Sequence, residues 1–166
     1  MLARCKAEGG STRAGELSCA VDRDGDENPV LNFRTRFGRR VRRRLLREKV
    51  VWLTTIDPKN TPQPRPVWFH WDGRTMLVLS QPKTAKLRHV ARNPNVSLNF
   101  NTDEDGDDVT VLTGSARALR KPPPARLKSY LRKYRQGIGD IGMTVSGFVA
   151  DYSVAIVVTP RAMRGF

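Results

Sequence analysis

The residues best placed to do chemistry follow the turn Gln81-Pro82-Lys83. Thr84, Ala85 and Lys86 open a predicted helix whose apolar face is Leu87 and Val90 with Ala91, and which Asn93-Pro94 stops. The first turn of any helix presents N–H groups without intrahelical partners and the positive end of the helix dipole. A lysine in that turn therefore makes a phosphate site without a glycine-rich loop. The same residues also fit a plain N-cap followed by solvated Lys86 and Arg88, and the local pattern leaves both readings open.

A second charged stretch, residues 34–47, holds eight arginines: Arg34, Arg36, Arg39, Arg40, Arg42, Arg43, Arg44 and Arg47. Such a cluster suits phosphate contacts in nucleic acid. Phe33, Phe37, Val41 and Leu45 recur every fourth residue, however, with Leu46 beside them, which predicts an amphipathic helix docked by its apolar stripe. On that reading the arginines are a solvated face, and nucleic acid is not an expected partner. The acidic runs Asp22–Asp26 and Asp103–Asp107 lack the glycine at position six and the bidentate glutamate at position twelve of an EF-hand, and Gly114 stands where the second would need that glutamate. The second run is read as a tight turn between strands. His70 and His89 are read as structural or surface residues, and with Cys5 and Cys19 far from both, no metal site is expected.

These groups sit on a chain of 166 residues with 30 Lys+Arg against 16 Asp+Glu, a net charge of +14, which suits one domain with a real core. No apolar run approaches the roughly 18 residues of a membrane span, and the first thirty residues lack the apolar region of a secretory signal. A cytoplasmic protein is expected. Residues 1–32 carry no apolar periodicity and many breakers, so they are read as a disordered leader to a folded domain over residues 33–166.

From Val50 the pattern is short strands with turn chemistry. Val50–Ile56 is β-rich and ends at Asp57-Pro58-Lys59-Asn60; Gln63–Trp71 is extended, because Pro62, Pro64 and Pro66 forbid a helix and favour a sheet edge. Asp72-Gly73 signals a hairpin to Thr75–Ser80. After the Thr84 helix come strands Val96–Thr102 and Asp108–Leu119, a helix from Pro122-Pro123-Pro124 to about Arg135, a short helix capped by Thr144, and a last strand Val154–Thr159. Hairpins outnumber crossovers, which predicts an antiparallel barrel, mainly β with flanking helices.

Three stretches, Pro64–Gly73, Leu79–Arg88 and Asn93–Leu98, together with Val111–Ala116, Tyr130–Tyr134 and Pro160–Phe166, resemble the pyridoxamine phosphate oxidase-like split-barrel superfamily. Within it the likeness is to the deazaflavin-dependent branch that uses coenzyme F420. The resemblance implies a split β-barrel, a homodimer with cofactor clefts at the subunit interface, and a phosphate held by residues at the positions of Arg65, Ser80, Thr84 and Lys86. It also implies that the backbone amides of Val67 and Trp68 meet the pyrimidine edge of the cofactor ring, with Trp68 as the cleft residue and Phe69 and Trp71 in the core.

Ala85 stands where flavin mononucleotide relatives usually carry arginine, and the C-terminal motif that grips pyridoxal phosphate is not evident. Both departures favour coenzyme F420. The implied activity is hydride transfer between reduced deazaflavin and an electron-poor double bond of a small organic substrate. Its catalytic residues are unknown, since the cofactor carries the chemistry, and Tyr130, Tyr134 or solvent could donate the proton. The alternatives are a flavin mononucleotide (FMN) enzyme of the same fold, and a cofactor carrier or nucleic-acid-associated protein without redox chemistry. The basic cleft mouth of Lys83, Arg88 and Arg92, with the arginine helix, would suit the polyglutamate tail of coenzyme F420.

Overall fold

The structure, a computed structural model, describes residues 31–166. The leader expected over residues 1–32 lies, for residues 1–30, outside the described residues, while Leu31 packs into the core. Seven strands are present: β1 (Val50–Ile56), β2 (Pro62–Trp68), β3 (His70–Trp71), β4 (Met76–Ser80), β5 (Asn95–Asn99), β6 (Thr110–Leu119) and β7 (Val154–Gly165). Four helices accompany them: α1 (Arg36–Arg47), α2 (Ala85–Arg92), α3 (Pro124–Asp140) and α4 (Val145–Asp151).

All pairings are antiparallel, in the order β2-β1-β5-β6-β7-β4-β3. The edge strands β2 and β3 are separated in the chain by Phe69 alone. Laid flat, seven strands would hold their edges about 29 Å apart at about 4.8 Å per gap, far beyond the reach of one residue. The sheet must therefore curl until its edges meet, and the split barrel follows from connectivity.

Alternation along the strands fills the interior with Val51, Leu53, Val78, Leu98, Leu112, Ile156 and Val158. On the outer side of β4 and β7, Leu77, Leu79, Ala155 and Val157 pack against Tyr130, Tyr134, Ile138 and Phe148 of α3 and α4. Strand β4 is thus buried on both faces, which is why Met76-Leu77-Val78-Leu79 shows no alternation. The extended segment predicted over Gln63–Trp71 divides at Phe69. The last strand runs six residues past its predicted end at Thr159, because a bulge at Thr113/Gly114 lets β6 continue past Pro160. Gly114 is required there: a Cβ would collide with the Thr159 carbonyl.

The arginine-rich segment is helical and docked. Thr35 Oγ1 accepts the Gly38 N–H at 2.9 Å, and Val41 and Leu45 are completely buried in the barrel core. Phe33 precedes the helix instead of joining its stripe, with its ring edge-on to Trp71 at 6.3 Å. Leu46 faces solvent, since it lies about 100° around the helix from Leu45.

Candidate functional site

Four of the residues singled out in the sequence converge where β4 leads into α2. Ser80, at the end of β4, is completely buried. Its Oγ lies 2.9 Å from Thr84 Oγ1 and accepts from Lys86 Nζ at 3.3 Å. Thr84 occupies the N-cap position of α2 with extended backbone, but its side chain makes no capping bond; it turns to Ser80 instead. The Leu87 N–H donates to the Thr84 carbonyl at 3.2 Å, while the Ala85 and Lys86 amides keep their donors for another acceptor. Burial holds the Lys86 amine below the usual lysine range, and the positive charge of Arg65 on β2 lowers it further. Among the described residues no carboxylate pairs with Lys86 or Arg65. Two cations, two hydroxyls and an uncapped helix start form a cradle suited to a phosphate dianion.

The neighbouring residues of β2 divide by parity. Arg65 and Val67 share one face, and Val67 packs on the barrel core. Trp68 points to the opposite face, so the expectation of a cleft-facing indole is corrected. The ring stacks on Tyr134 at 4.7 Å with an interplanar angle of 4°, and on Phe148 at 6.0 Å, inside the cluster under α3 and α4. Stacking there buries a large aromatic surface that an open cleft would leave wet. Phe69 and Trp71 lie in the core as expected.

Neither tyrosine is available as a proton donor. Tyr130 and Tyr134 are both almost completely buried, and burial pushes their hydroxyls well above the usual phenol range. The Tyr134 hydroxyl accepts the Phe69 N–H at 2.9 Å and lies 2.7 Å from both the Lys49 and Phe69 carbonyls. His89 is buried, with Nδ1 3.0 Å from Thr55 Oγ1, a packing role. His70 is half-buried, and burial followed by the charge of Lys133 holds its pKa low.

Two structural residues escaped the sequence reading. Arg44 is only 7% exposed and is no part of a solvated face. It donates to the Glu48 carboxylate, to the Asn101 carbonyl and, at 2.6 Å, to the Asp108 carbonyl, and its guanidinium lies 4.8 Å from the Phe100 ring centre. Arg40 joins it on the Asp108 carboxylate at 2.8 Å. The available signal was position: Arg44 is three residues after Val41, on the flank of the apolar stripe. Lys133 donates to the Glu48 carbonyl at 2.6 Å and to the Phe69 carbonyl at 3.0 Å, tying α3 to the end of α1 and to the β2–β3 junction. Burial brings its pKa down to about 8.

Comparison with known proteins agrees with this architecture. No curated protein matches the chain. Among solved structures, an F420 reductase is 24% identical, with 72% of this chain and 92% of that chain covered and a TM-score of 0.57. HutZ, the heme storage protein from Vibrio cholerae, is 14% identical over 79% of this chain and 95% of its own, with a TM-score of 0.59. A Listeria innocua protein named for pyridoxamine 5'-phosphate oxidase is 21% identical over 76% and 94%, with a TM-score of 0.56. At these identities the likeness is one of fold. The family model for pyridoxamine 5'-phosphate oxidase matches residues 37–165, which include every strand, the whole cradle and nearly all of α1, and the chain belongs to that family.

Proposed function

We propose that the chain is an oxidoreductase that transfers a hydride between reduced coenzyme F420 and an electron-poor double bond of a small organic molecule, such as an enone, imine or quinone. The observation that carries this reading is the cradle of Arg65, Ser80, Thr84 and Lys86, whose two cations face each other without a carboxylate between them. A phosphate there would relieve their repulsion and accept from both hydroxyls and the α2 amides. When bound, coenzyme F420 supplies the hydride chemistry. The backbone amides of Val67 and Trp68 hold the ring edge in this reading, a role that does not depend on where the Trp68 indole points. With Tyr130 and Tyr134 buried and bonded to backbone, the proton that completes the reduction comes from water.

The sheet supports a homodimer. On the outward side Trp52 of β1 is exposed and Thr54 and Ile56 of β1, Ser97 of β5 and Thr113 of β6 are only partly buried, and a groove of about 450 Å³ runs over Thr54, Ser97, Gly114 and Arg161. A second copy covering this apolar and hydroxyl-bearing face would complete a cleft beside β2.

The phosphate is common to coenzyme F420 and FMN, so the test must separate them. Titration of the purified protein with each, following fluorescence, is expected to give tighter binding of the deazaflavin, lost in Lys86→Ala. Oxidation of the reduced deazaflavin by a model quinone, read as the return of deazaflavin fluorescence, then tests transfer. Tighter binding of FMN would replace the deazaflavin reading with the flavin one. Binding of neither would leave the family membership without this activity.

A further inference from the structure

The cradle leaves the most charged element of the protein without a role. In α1, seven of twelve residues are arginine, and none is lysine, aspartate or glutamate. Arg40 and Arg44 are held by Asp108 and Glu48. Arg36, Arg39, Arg43 and Arg47 are exposed, and none forms an ion pair with a described residue. Their spacing of three, four and four residues aligns them in one ridge about 16 Å long at 1.5 Å per residue.

This ridge does not belong to the cradle. Helix α1 enters β1 at Val50, whereas α2 contacts the far end of β1, where His89 meets Thr55. Five residues of strand, about 16 Å, separate the two ends. Within one chain the arginine ridge is thus across the barrel from Lys86, and the sequence expectation that it screens the cofactor tail finds no support in this placement.

We infer that the α1 ridge binds the phosphate backbone of a nucleic-acid duplex without reading its sequence. Guanidinium forks suit phosphodiesters bidentately, and exclusive use of arginine distinguishes this surface from a merely solvated basic face. The ridge is rigid, because Val41 and Leu45 anchor it in the core and Thr35 caps its start. Its length spans several charges of a duplex, which carries one per about 1.7 Å of axis. A lipid surface fits less well, since the apolar stripe of α1 is buried inside the barrel. A single strand fits less well too, because Phe33 and Phe37 are packed against the core and give the ridge no stacking platform. Asp103, Glu104, Asp105 and Asp107 follow one another on the Asp108 side of the ridge and form its border.

The test is retention of a labelled duplex by the full chain, followed by anisotropy from about 50 mM to about 200 mM salt, the range over which phosphate contacts weaken steeply. The parent is expected to bind with a strongly negative salt slope. The quadruple variant Arg36→Gln, Arg39→Gln, Arg43→Gln, Arg47→Gln should flatten the logarithmic slope by about 3.6 if all four meet phosphates, with an unchanged melting temperature. Lys86→Ala should bind the duplex as the parent does, and Asp→Asn changes in the acidic turn should strengthen retention. The inference is overturned if the parent shows no retention at the lowest salt, or if the quadruple variant binds equally well. It is also overturned if vesicles containing phosphatidylserine bind through these arginines while the duplex does not, or if the quadruple variant loses coenzyme F420 instead.

Discussion

The two ends of the barrel are closed by helices that look alike in sequence and treat their charge in opposite ways. At the α1 end, Arg40 and Arg44 are drawn onto Asp108, Glu48 and the carbonyls of Asn101 and Asp108, so part of a conspicuous arginine cluster is structural. At the α2 end, Lys86 and Arg65 face one another with hydroxyls and helix amides but no carboxylate. The N-caps differ in the same sense. Thr35 bonds the Gly38 amide, whereas Thr84 leaves its helix uncapped and joins Ser80. At the α1 end the least exposed arginines are paired within the chain while the four exposed ones of the ridge are not, and at the α2 end Lys86 and Arg65 have no carboxylate partner among the described residues. The lesson is that a basic helix is assigned by what its charges meet, and not by how many it has.

The largest expected break in this contrast is Val41→Asp. The residue is completely buried on the docked face of α1, and an unpaired carboxylate there should cost more than about 3 kcal/mol, read as a lower urea midpoint. Val90→Asp, on the equivalent face of α2, provides the matching measurement at the other end.

Lys86→Ala should act on binding and hardly on folding. Loss of a charge-assisted phosphate bond is expected to weaken cofactor affinity by about 1.5–3 kcal/mol, roughly 10- to 150-fold in Kd, with an unchanged urea midpoint. Equal affinity of variant and parent would remove the phosphate assignment and return Lys86 to a solvated helix turn.

The caps sharpen the comparison at smaller cost. Thr35→Ala should lower stability by about 1 kcal/mol, a typical cap loss. Thr84→Ala should lower stability less and ligand affinity more, because its hydroxyl serves Ser80 and not a helix amide. Calorimetry with and without cofactor distinguishes the two.

A pH dependence provides a separate measurement. Lys133, brought down to about 8 by burial, releases its proton in the folded chain while the unfolded chain holds one up to the ordinary lysine value near 10.5. Between those values the unfolded state binds more protons, so this group makes stability rise with pH. The parent should gain stability relative to Lys133→Met from pH 8 to 10, followed by urea unfolding at each pH. A flat difference would show that the lysine keeps its normal basicity.

Residue order alone determined a good deal. Period-four spacing of Phe37, Val41 and Leu45 specified a docked helix, Asp72-Gly73 a hairpin with Gly73 at φ 103°, and three prolines an edge strand. Such signals are local: one residue's backbone limits, or a repeat within a turn or two of chain. Lys86 in a helix's first turn was legible for the same reason. The folded chain decided the rest, because it depends on neighbours distant in sequence. Arg65 comes to Lys86 only when the sheet curls its edge strand round to β4. Arg44 leaves solvent only because Asp108, sixty-four residues away, meets it, and Trp68 leaves the cleft because Tyr134 offers a parallel ring. Spacing along the chain carries a side chain's period, but the charge or ring that it meets is set by closure of the barrel.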